Sequence, residues 1–258
     1  MFETIGCDVE VFAKDKEGNH VALCGLIGGT KEAPLQIEDL PQGFAVQEDN
    51  VSLEYNIPPC NSKNEFVDAI NTMKHEIKHI LKYLGYTLSF EASASFDKKQ
   101  LTHPNALIFG CEPDYNAWKL VENEKPYSPD ETLRTCGGHI HVGTDIDFVP
   151  LIQAMDLYIG VPSVLLDTSP SSLIRKQLYG KAGAMRPKSY GGEYRVTSNY
   201  WMFDPNIVAW IYNQTKRLCS ERPIKFTEKQ AKDIQTCINT NNSDMAKTLI
   251  GHFSIHMP

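Results

Sequence analysis

The sequence predicts an α+β fold in which a mostly antiparallel sheet carries helices on one face. Runs of alternating apolar and polar residues are joined by turn-forming residues, as in antiparallel hairpins. These runs do not alternate regularly with helical segments, as the strands of a doubly wound parallel sheet would. We expect one domain over residues 1–258, with 223–258 as a C-terminal helical extension.

The predicted strands lie mainly in the first half of the chain. Residues 4–14 and 20–29 alternate around a turn and predict a hairpin, and residues 44–60 form a second strand region that ends at Pro58 and Pro59. Three further stretches are typical of strands: 86–96, 105–118 and 137–146.

The first predicted helix begins after Ser62, a plausible N-cap, and ends before Gly85. Its apolar residues recur every three or four positions: Phe66, Ile70, Met73, Ile77, Ile80 and Leu84. Later helices are expected over 147–167, which contains an internal proline, and over 205–219 and 227–239. Residues 175–201 are expected to be a basic, glycine-rich loop that leads into a strand.

Composition excludes several classes of protein. The net charge of −7 and the absence of a basic stretch argue against binding of nucleic acid through its phosphates. No apolar run is expected to span a bilayer, and no secretory signal is recognised at the N-terminus. Seven scattered cysteines without a CxxC pair indicate reduced thiols, so we expect a cytoplasmic protein without a membrane partner.

The stretch HEIKH, from His75 to His79, matches the HExxH motif of zinc metalloproteases, in which Glu76 would be the general base. On the predicted helix, however, both histidines fall opposite the apolar stripe, among lysines. We therefore expect a solvated polar face here and keep a zinc metallohydrolase as an alternative.

Pairs of polar residues two positions apart recur in the predicted strands. Because residues i and i+2 share one face of a strand, each pair points to the same side. The intervening residues Val9, Tyr55, Pro113, Ile140 and Tyr194 are mostly suited to a core. The pairs are Asp8/Glu10, Glu54/Asn56, Glu112/Asp114, His139/His141 and Glu193/Arg195.

Any one of these pairs is compatible with a solvated sheet face. Several carboxylates on neighbouring strands repel one another, however, unless cations neutralise them. Oxygen-rich sites favour Mg²⁺, and the histidines make Mn²⁺ an alternative. Gly137 and Gly138, which precede the histidines, are expected to let a ligand approach their backbone.

The segment between Arg175 and Arg195 supplies positive charge next to the last carboxylate. Metal-bound polyphosphate requires this combination, since carboxylates hold the metals while Arg and Lys hold phosphate oxygens. A solvated basic loop is the alternative, because the chain has no P-loop and no GxGxxG motif.

From IGCDVEVF through LEYNIPP, FGCEPDYNAW and GGHIHVG to GEYRVTSNYW, the chain resembles carboxylate–amine ligases with the glutamine synthetase fold. It is most similar to the phage-associated group described as COOH–NH2 ligases of type 2. The resemblance implies a curved antiparallel sheet and an ATP- and Mg²⁺-dependent reaction. In that reaction a carboxylate is activated as an acyl phosphate and an amine then attacks it.

The resemblance also implies roles for individual residues. His141 would lie beside the nucleotide phosphates, and Arg186 and Arg195 would hold the transferred γ-phosphate, with Lys181 close by. Arg186, Arg195 and Glu193 are the expected catalytic residues. The expected metal ligands are Glu10, Glu54, His139 and Glu193, with Asp8, Asn56 and Glu112 as accessory ligands.

The leading hypothesis is therefore a ligase that joins small-molecule or peptide carboxylates and amines. A phosphotransferase acting on an amine or guanidine would use the same chemistry without amide formation. A non-enzymatic binding or virion role is a further alternative. The sequence leaves the substrates and the oligomeric state open.

Overall fold

Residues 2–107 and 114–258 are described by a computed structural model. Their strands form a nine-stranded sheet, a three-stranded sheet and a two-stranded sheet. All the strand pairs within these two ranges are antiparallel. The prediction of an α+β protein with a mostly antiparallel sheet is confirmed, while its likeness to glutamine synthetase stays a prediction.

The strands are β1 (Phe2–Val11), β2 (Ala13–Lys14), β3 (His20–Val21), β4 (Leu35–Gln36), β5 (Ala45–Asp49), β6 (Ser52–Asn56), β7 (Thr87–Leu88), β8 (Ser93–Ser95), β9 (Tyr115–Asn116), β10 (Val121–Glu122), β11 (Leu133–Thr135), β12 (Gly138–Thr144), β13 (Ala184–Lys188) and β14 (Gly191–Tyr194). The helices are α1 (Lys63–Tyr83), α2 (Phe148–Met155), α3 (Val161–Leu166), α4 (Pro170–Leu178), α5 (Pro205–Ser220), α6 (Glu228–Thr240) and α7 (Ser243–His252). The large sheet has the order β10-β9-β13-β14-β12-β1-β6-β5-β4.

One face of the large sheet forms the main core. Val9, Tyr55, Ile140 and Tyr194 are fully buried, as the alternation of their strands predicts. Helices α2 and α5 contact this sheet, and α1 packs on α5. The opposite face is left to the polar side chains between these residues.

Helix α1 begins and ends where the sequence predicts. Ser62 forms a capping box with Glu65, whose carboxylate accepts from the Ser62 backbone N–H. Gly85 follows the helix with a φ of 85°, a conformation that favours glycine. The buried stripe includes Ala69 and Leu81, whereas the predicted Ile80 and Leu84 are only partly buried.

Two predicted segments have a different structure. Residues 44–60 form a hairpin, β5–β6, in which Asn50 adopts the left-handed conformation (φ 57°) at the turn. Residues 175–201 are not a loop, because Arg175 lies on α4 and Arg186 lies on β13. The predicted strand over 105–118 falls partly on residues 108–113, including Cys111 and Pro113, which lie outside the described residues.

The helical segment Phe148–Leu166 is longer and more apolar than expected from the sequence. It contains a π-helical turn, Asp156–Gly160, directly before Pro162, which lacks the N–H that a regular helix would use. The segment is long and apolar enough to span a bilayer, contrary to what the sequence suggested. However, 67% of its apolar window is buried inside the protein, as in the core helix of a globular domain.

The C-terminal region contributes to the main core. Ile238 from α6, Leu249 from α7 and Ile255 belong to the same buried cluster as the strand residues of the sheet. Residues 223–258 therefore pack into the domain. They are helical as expected, with α6 close to the predicted helix over 227–239 and α7 as a second helix after it.

Candidate active site

The first cluster of polar side chains lies on three neighbouring strands, β1, β12 and β14. Asp8, His141 and Glu193 each bring one ligand-type atom within 4.8 Å of the others. His141 Nε2 lies 3.2 Å from Asp8 Oδ2 and 4.0 Å from Glu193 Oε1. The pairing of His141 with Glu193 across the sheet places this cluster on the polar face.

The second cluster lies beside the first, on β1, β6 and the end of β5. Glu10, Asp49 and Glu54 form another group of three oxygen ligands within 4.8 Å of one another. Glu10 and Glu54 are directly paired in the sheet register. The two clusters are therefore joined by Asp8 and Glu10, which stand two residues apart on β1.

The two clusters differ in electrostatics. Burial alone would raise the pKa of the Asp8 carboxyl, but His141 and His139 outweigh it and hold that pKa well below its usual range. Glu193 is buried next to Asp8, yet His141 and the neighbouring cations lower its pKa. The carboxyls of the first cluster are thus ionised at neutral pH.

In the second cluster burial holds the pKa values of the carboxyls above their ordinary range. Burial, together with the negative charge of Asp49, raises the pKa of Glu10 to about 8. Burial and the neighbouring Asp8 also raise the pKa values of Asp49 and Glu54. A divalent cation would displace the proton of Glu10, since carboxylate ligands must be deprotonated to bind metal.

Three cationic side chains converge on Glu193, which is 1% exposed. Arg195 Nη1 lies 2.7 Å from Glu193 Oε2 and Arg186 Nη1 lies 3.2 Å from it, while Lys188 Nζ lies 2.8 Å from Oε1. Arg195 Nε is also 3.9 Å from Asp114 Oδ2. Positive charge therefore borders the first cluster, as a phosphate site requires.

The first cluster is suited to a divalent cation. His141 Nε2 is buried 3.2 Å from Asp8 Oδ2, and the charge of Asp8 outweighs burial and raises the pKa of His141. In the metal-free protein a proton on Nε2 therefore faces the carboxylates. A divalent cation would replace that proton, and the one-nitrogen, carboxylate-rich set fits Mg²⁺ or Mn²⁺.

His139, an expected metal ligand, lies between Asp8 and Arg195. Its Nδ1 lies 2.8 Å from Asp8 Oδ1 and 3.2 Å from Arg195 Nη1, and it lies outside both three-residue clusters. Burial and the charge of Arg195 lower its pKa to about 4, so the ring is neutral. On this geometry both histidines contact Asp8, but His141 Nε2 lies close to Asp8 and Glu193 together.

Asn56 is linked to Glu54 by a chain of hydrogen bonds through Gln47, which is not among the predicted site residues. Asn56 Nδ2 donates to Gln47 Oε1 at 3.4 Å, and Gln47 Nε2 donates to Glu54 Oε1 at 2.9 Å. Asn56 thus contacts a neighbour of the cluster and is not one of its three ligand groups. Such outer contacts orient the carboxylates that bind a metal.

A cleft of about 210 Å³ opens beside the second cluster. Its lining includes Glu10, Asp49 and His139 together with Arg175 and Arg195. Arg175 is 2% exposed, and its Nε has no hydrogen-bond partner within the described residues. The cleft therefore offers acidic and basic groups to a bound molecule.

The glycines before the histidines serve the protein's own packing. A Cβ on Gly137 would lie 2.5 Å from His139 Nε2, and one on Gly138 would lie 2.6 Å from the Ser198 carbonyl oxygen. The Gly137 N–H donates to Glu10 Oε2 at 2.7 Å. This contact fixes Glu10, and because Gly137 also lines the cleft described above, the approach of a ligand to its backbone stays a prediction.

Several predicted residues lie away from these clusters or outside the description. Lys181 lines a separate surface pocket with Asn239 and Asn241. His75 and His79 are exposed on α1, with ring centroids 4.1 Å apart, and neither belongs to the two ligand clusters of the described chain. Glu112 lies outside the described residues.

Comparison with known families gives a match in the second half of the chain. The family described as Phage phiEco32-like COOH.NH2 ligase-type 2 matches residues 129–240. This is the family that the sequence resembles. The matched segment contains His141, Arg186, Glu193 and Arg195, whereas β1, β5 and β6 lie outside it. The match supports an enzyme of the ligase class, and no curated protein matches the chain.

Proposed function

We propose that the protein is an ATP- and Mg²⁺-dependent carboxylate–amine ligase that forms an amide or isopeptide bond through an acyl phosphate. The observation that carries this proposal is the polar face of the sheet, where two ligand clusters adjoin three phosphate-type cations. The match of residues 129–240 to a ligase family supports it.

The two clusters would hold the divalent cations. Asp8, His141 and Glu193 would bind one, and Glu10, Asp49 and Glu54 would bind the other. Glu10 would first give up its proton. Bound Mg²⁺ would supply charge neutralisation and Lewis acidity to the phosphate oxygens.

The cations around Glu193 would orient the nucleotide. Arg186 and Arg195 present planar guanidinium groups that match phosphate oxygens, and Lys188 adds a third positive charge beside them. These side chains would stabilise the charge on the γ-phosphoryl group while it moves. Arg175, buried at the cleft, would hold the substrate carboxylate.

The reaction would proceed in two steps, phosphoryl transfer and then amide formation. A carboxylate oxygen of the substrate attacks the γ-phosphorus of ATP, the bond to the bridging oxygen breaks, and ADP leaves. The amine then attacks the carbonyl carbon of the acyl phosphate, inorganic phosphate leaves with the electron pair, and the amine loses a proton. We propose small-molecule or peptide substrates, and the cytoplasm, or a host's cytoplasm for a phage protein, as the location.

Thermal unfolding of the metal-stripped protein tests the nucleotide site. A non-hydrolysable ATP analogue with Mg²⁺ at 100 times its Kd should add about 2.7 kcal/mol to the stability. At 2 to 4 °C per kcal/mol, the midpoint should rise by roughly 5 to 10 °C. A response to Zn²⁺ alone that His75→Ala abolishes would instead favour the metallohydrolase.

Release of ADP then tests the reaction itself. We expect release of ADP and phosphate only when a carboxylate and an amine are both supplied from screened pools. Glu17→Gln, which alters an exposed turn, is the matched control for Glu193→Gln. A stable phosphorylated amine or guanidine without phosphate release would mean a phosphotransferase and would contradict the ligase.

A further inference from the structure

Tyr190 lies at the turn between β13 and β14, the two strands that carry Arg186 and Glu193. Lys188 pairs with Gly191 across this turn, and a Cβ on Gly191 would lie 2.2 Å from the Val142 carbonyl oxygen. The Tyr190 carbonyl accepts from the Thr144 N–H at 2.9 Å. The backbone of Tyr190 is therefore held against β12, the strand that carries His141.

The side chain of Tyr190 contacts His141 in two ways. Its hydroxyl lies 3.2 Å from His141 Nδ1, and the two rings are stacked with centroids 6.2 Å apart and an interplanar angle of 30°. Tyr190 is 44% exposed, so its place is set by this contact and not by burial in a core.

The contact at Nδ1 decides what His141 can do with its other nitrogen. In a neutral imidazole one nitrogen carries the proton and the other has a lone pair. If Nδ1–H donates to the Tyr190 oxygen, Nε2 presents its lone pair to a cation. If the Tyr190 hydroxyl donates to Nδ1, Nε2 carries the hydrogen and suits a phosphate oxygen.

The surroundings of Nε2 favour a cation, and a bound cation requires the first arrangement. Nε2 faces Asp8 Oδ2 at 3.2 Å and Glu193 Oε1 at 4.0 Å. Two carboxylates attract a cation and repel a phosphate at this point. A cation there would be bound by two oxygens and one nitrogen.

We propose that Tyr190 is a positioning residue that accepts the Nδ1 hydrogen of His141 and thereby directs the Nε2 lone pair to the divalent cation of the first cluster. This inference rests on the proposed function for the presence of the cation. It gives His141 the role of a metal ligand, in place of the contact with nucleotide phosphates that the resemblance implies. A second contact of this kind commonly fixes a metal-binding histidine.

The tautomer of His141 can be observed directly. Two-bond ¹H–¹⁵N NMR of labelled protein with saturating Mg²⁺ should show the proton on Nδ1, with His141 assigned by comparison with His141→Gln. In Tyr190→Phe, which keeps the ring but loses the hydroxyl, this tautomer should no longer predominate. A proton on Nε2 in the wild type with Mg²⁺ would overturn the proposal.

Titration with Mn²⁺, followed by electron paramagnetic resonance, gives a second test. The affinity of the first cluster should fall by roughly tenfold or more in Tyr190→Phe. The Glu10–Asp49–Glu54 cluster is the internal control, and its Mn²⁺ affinity should be the same in Tyr190→Phe as in the wild type. Tyr83→Phe, on the exposed side of α1, is the matched variant and should leave the Mn²⁺ affinity of both clusters unchanged.

The possible results separate the two proposals. Two Mn²⁺ ions bound equally by the wild type and by Tyr190→Phe would refute the role of Tyr190 and leave the proposed function standing. No Mn²⁺ bound by the wild type would refute the metal site, and the role of Tyr190 with it.

Discussion

The affinity of the second cluster for Mg²⁺ should depend strongly on pH. The pKa of Glu10 is raised to about 8 by burial and by Asp49, so at lower pH a proton occupies the site that the cation needs. For one such group the apparent Kd scales with 1 + 10^(8 − pH), which falls from about 101 at pH 6 to 2 at pH 8. We therefore expect Mg²⁺ to bind about 50-fold more tightly at pH 8 than at pH 6. The difference should be larger still because the pKa of Glu54 is also raised.

The free energy of unfolding of the metal-free protein should decrease as the pH rises, whereas the Mg²⁺ affinity increases. Because the pKa of Glu10 is higher in the folded protein than its ordinary 4.5, the folded state binds the extra proton between these values. Its contribution to stability is complete below about pH 4.5 and is lost as the pH rises through about 8. Saturating Mg²⁺ should reverse this loss at pH 8.

Isothermal titration with Mg²⁺ at several pH values measures the effect, in a His141→Gln background that removes the histidine of the first cluster. In Asp49→Asn the midpoint of the pH dependence of Mg²⁺ affinity should move to lower pH, because Glu10 loses a neighbouring negative charge. The affinity reached at high pH should also be weaker, because one ligand carboxylate is lost. Glu17→Gln should change neither. An affinity that is the same at pH 6 and pH 8 would refute the reasoning.

Three further variants test other contacts. Glu193→Gln should abolish ADP formation while retaining a cooperative unfolding transition, and full activity would contradict its role beside Arg186 and Arg195. Gln47→Ala should weaken Mn²⁺ binding at the second cluster by about tenfold or more, since the hydrogen bond to Glu54 is lost; an unchanged Kd would exclude this role. Ser62→Ala should cost about 1 kcal/mol by removing the cap of α1, which calorimetry would detect as a midpoint lower by roughly 2 to 4 °C, without altering Mn²⁺ affinity.

The polar face of the sheet could be predicted because strand periodicity determines it. Once Val9, Tyr55, Ile140 and Tyr194 are assigned to the core, their neighbours must point to the other side. This reasoning located Asp8, Glu10, Glu54, His141 and Glu193 without any knowledge of the strand order. It could not distinguish His139 from His141, since both share the face and only the register shows which nitrogen meets two carboxylates.

Asp49 was missed because residues 44–60 were treated as one strand region. The signal was present in Asn50, which tolerates a left-handed turn between two alternating runs. A hairpin at that turn pairs Asp49 with Ser52 and Gln47 with Glu54. Both missed residues would then have been placed beside the second cluster.

Helix α4 was missed because its polar side chains are buried and its apolar side chains are exposed. Ser171, Ser172 and Arg175 are buried, whereas Leu173 and Ile174 are each 41% exposed. Arg175 is turned inward toward the cleft that Glu10 and Asp49 line, a tertiary interaction that sequence periodicity does not reveal. The π-helical turn at Asp156–Gly160 is likewise invisible in an apolar helical pattern.

Counting the divalent cations bound per chain tests the central claim most directly. Equilibrium dialysis with Mn²⁺ and a non-hydrolysable ATP analogue should give two ions per chain, of which Glu193→Gln removes one and Glu54→Gln removes the other. Binding of no ion, or of ions that survive both substitutions, would contradict the assignment of the two clusters on the polar face of the sheet.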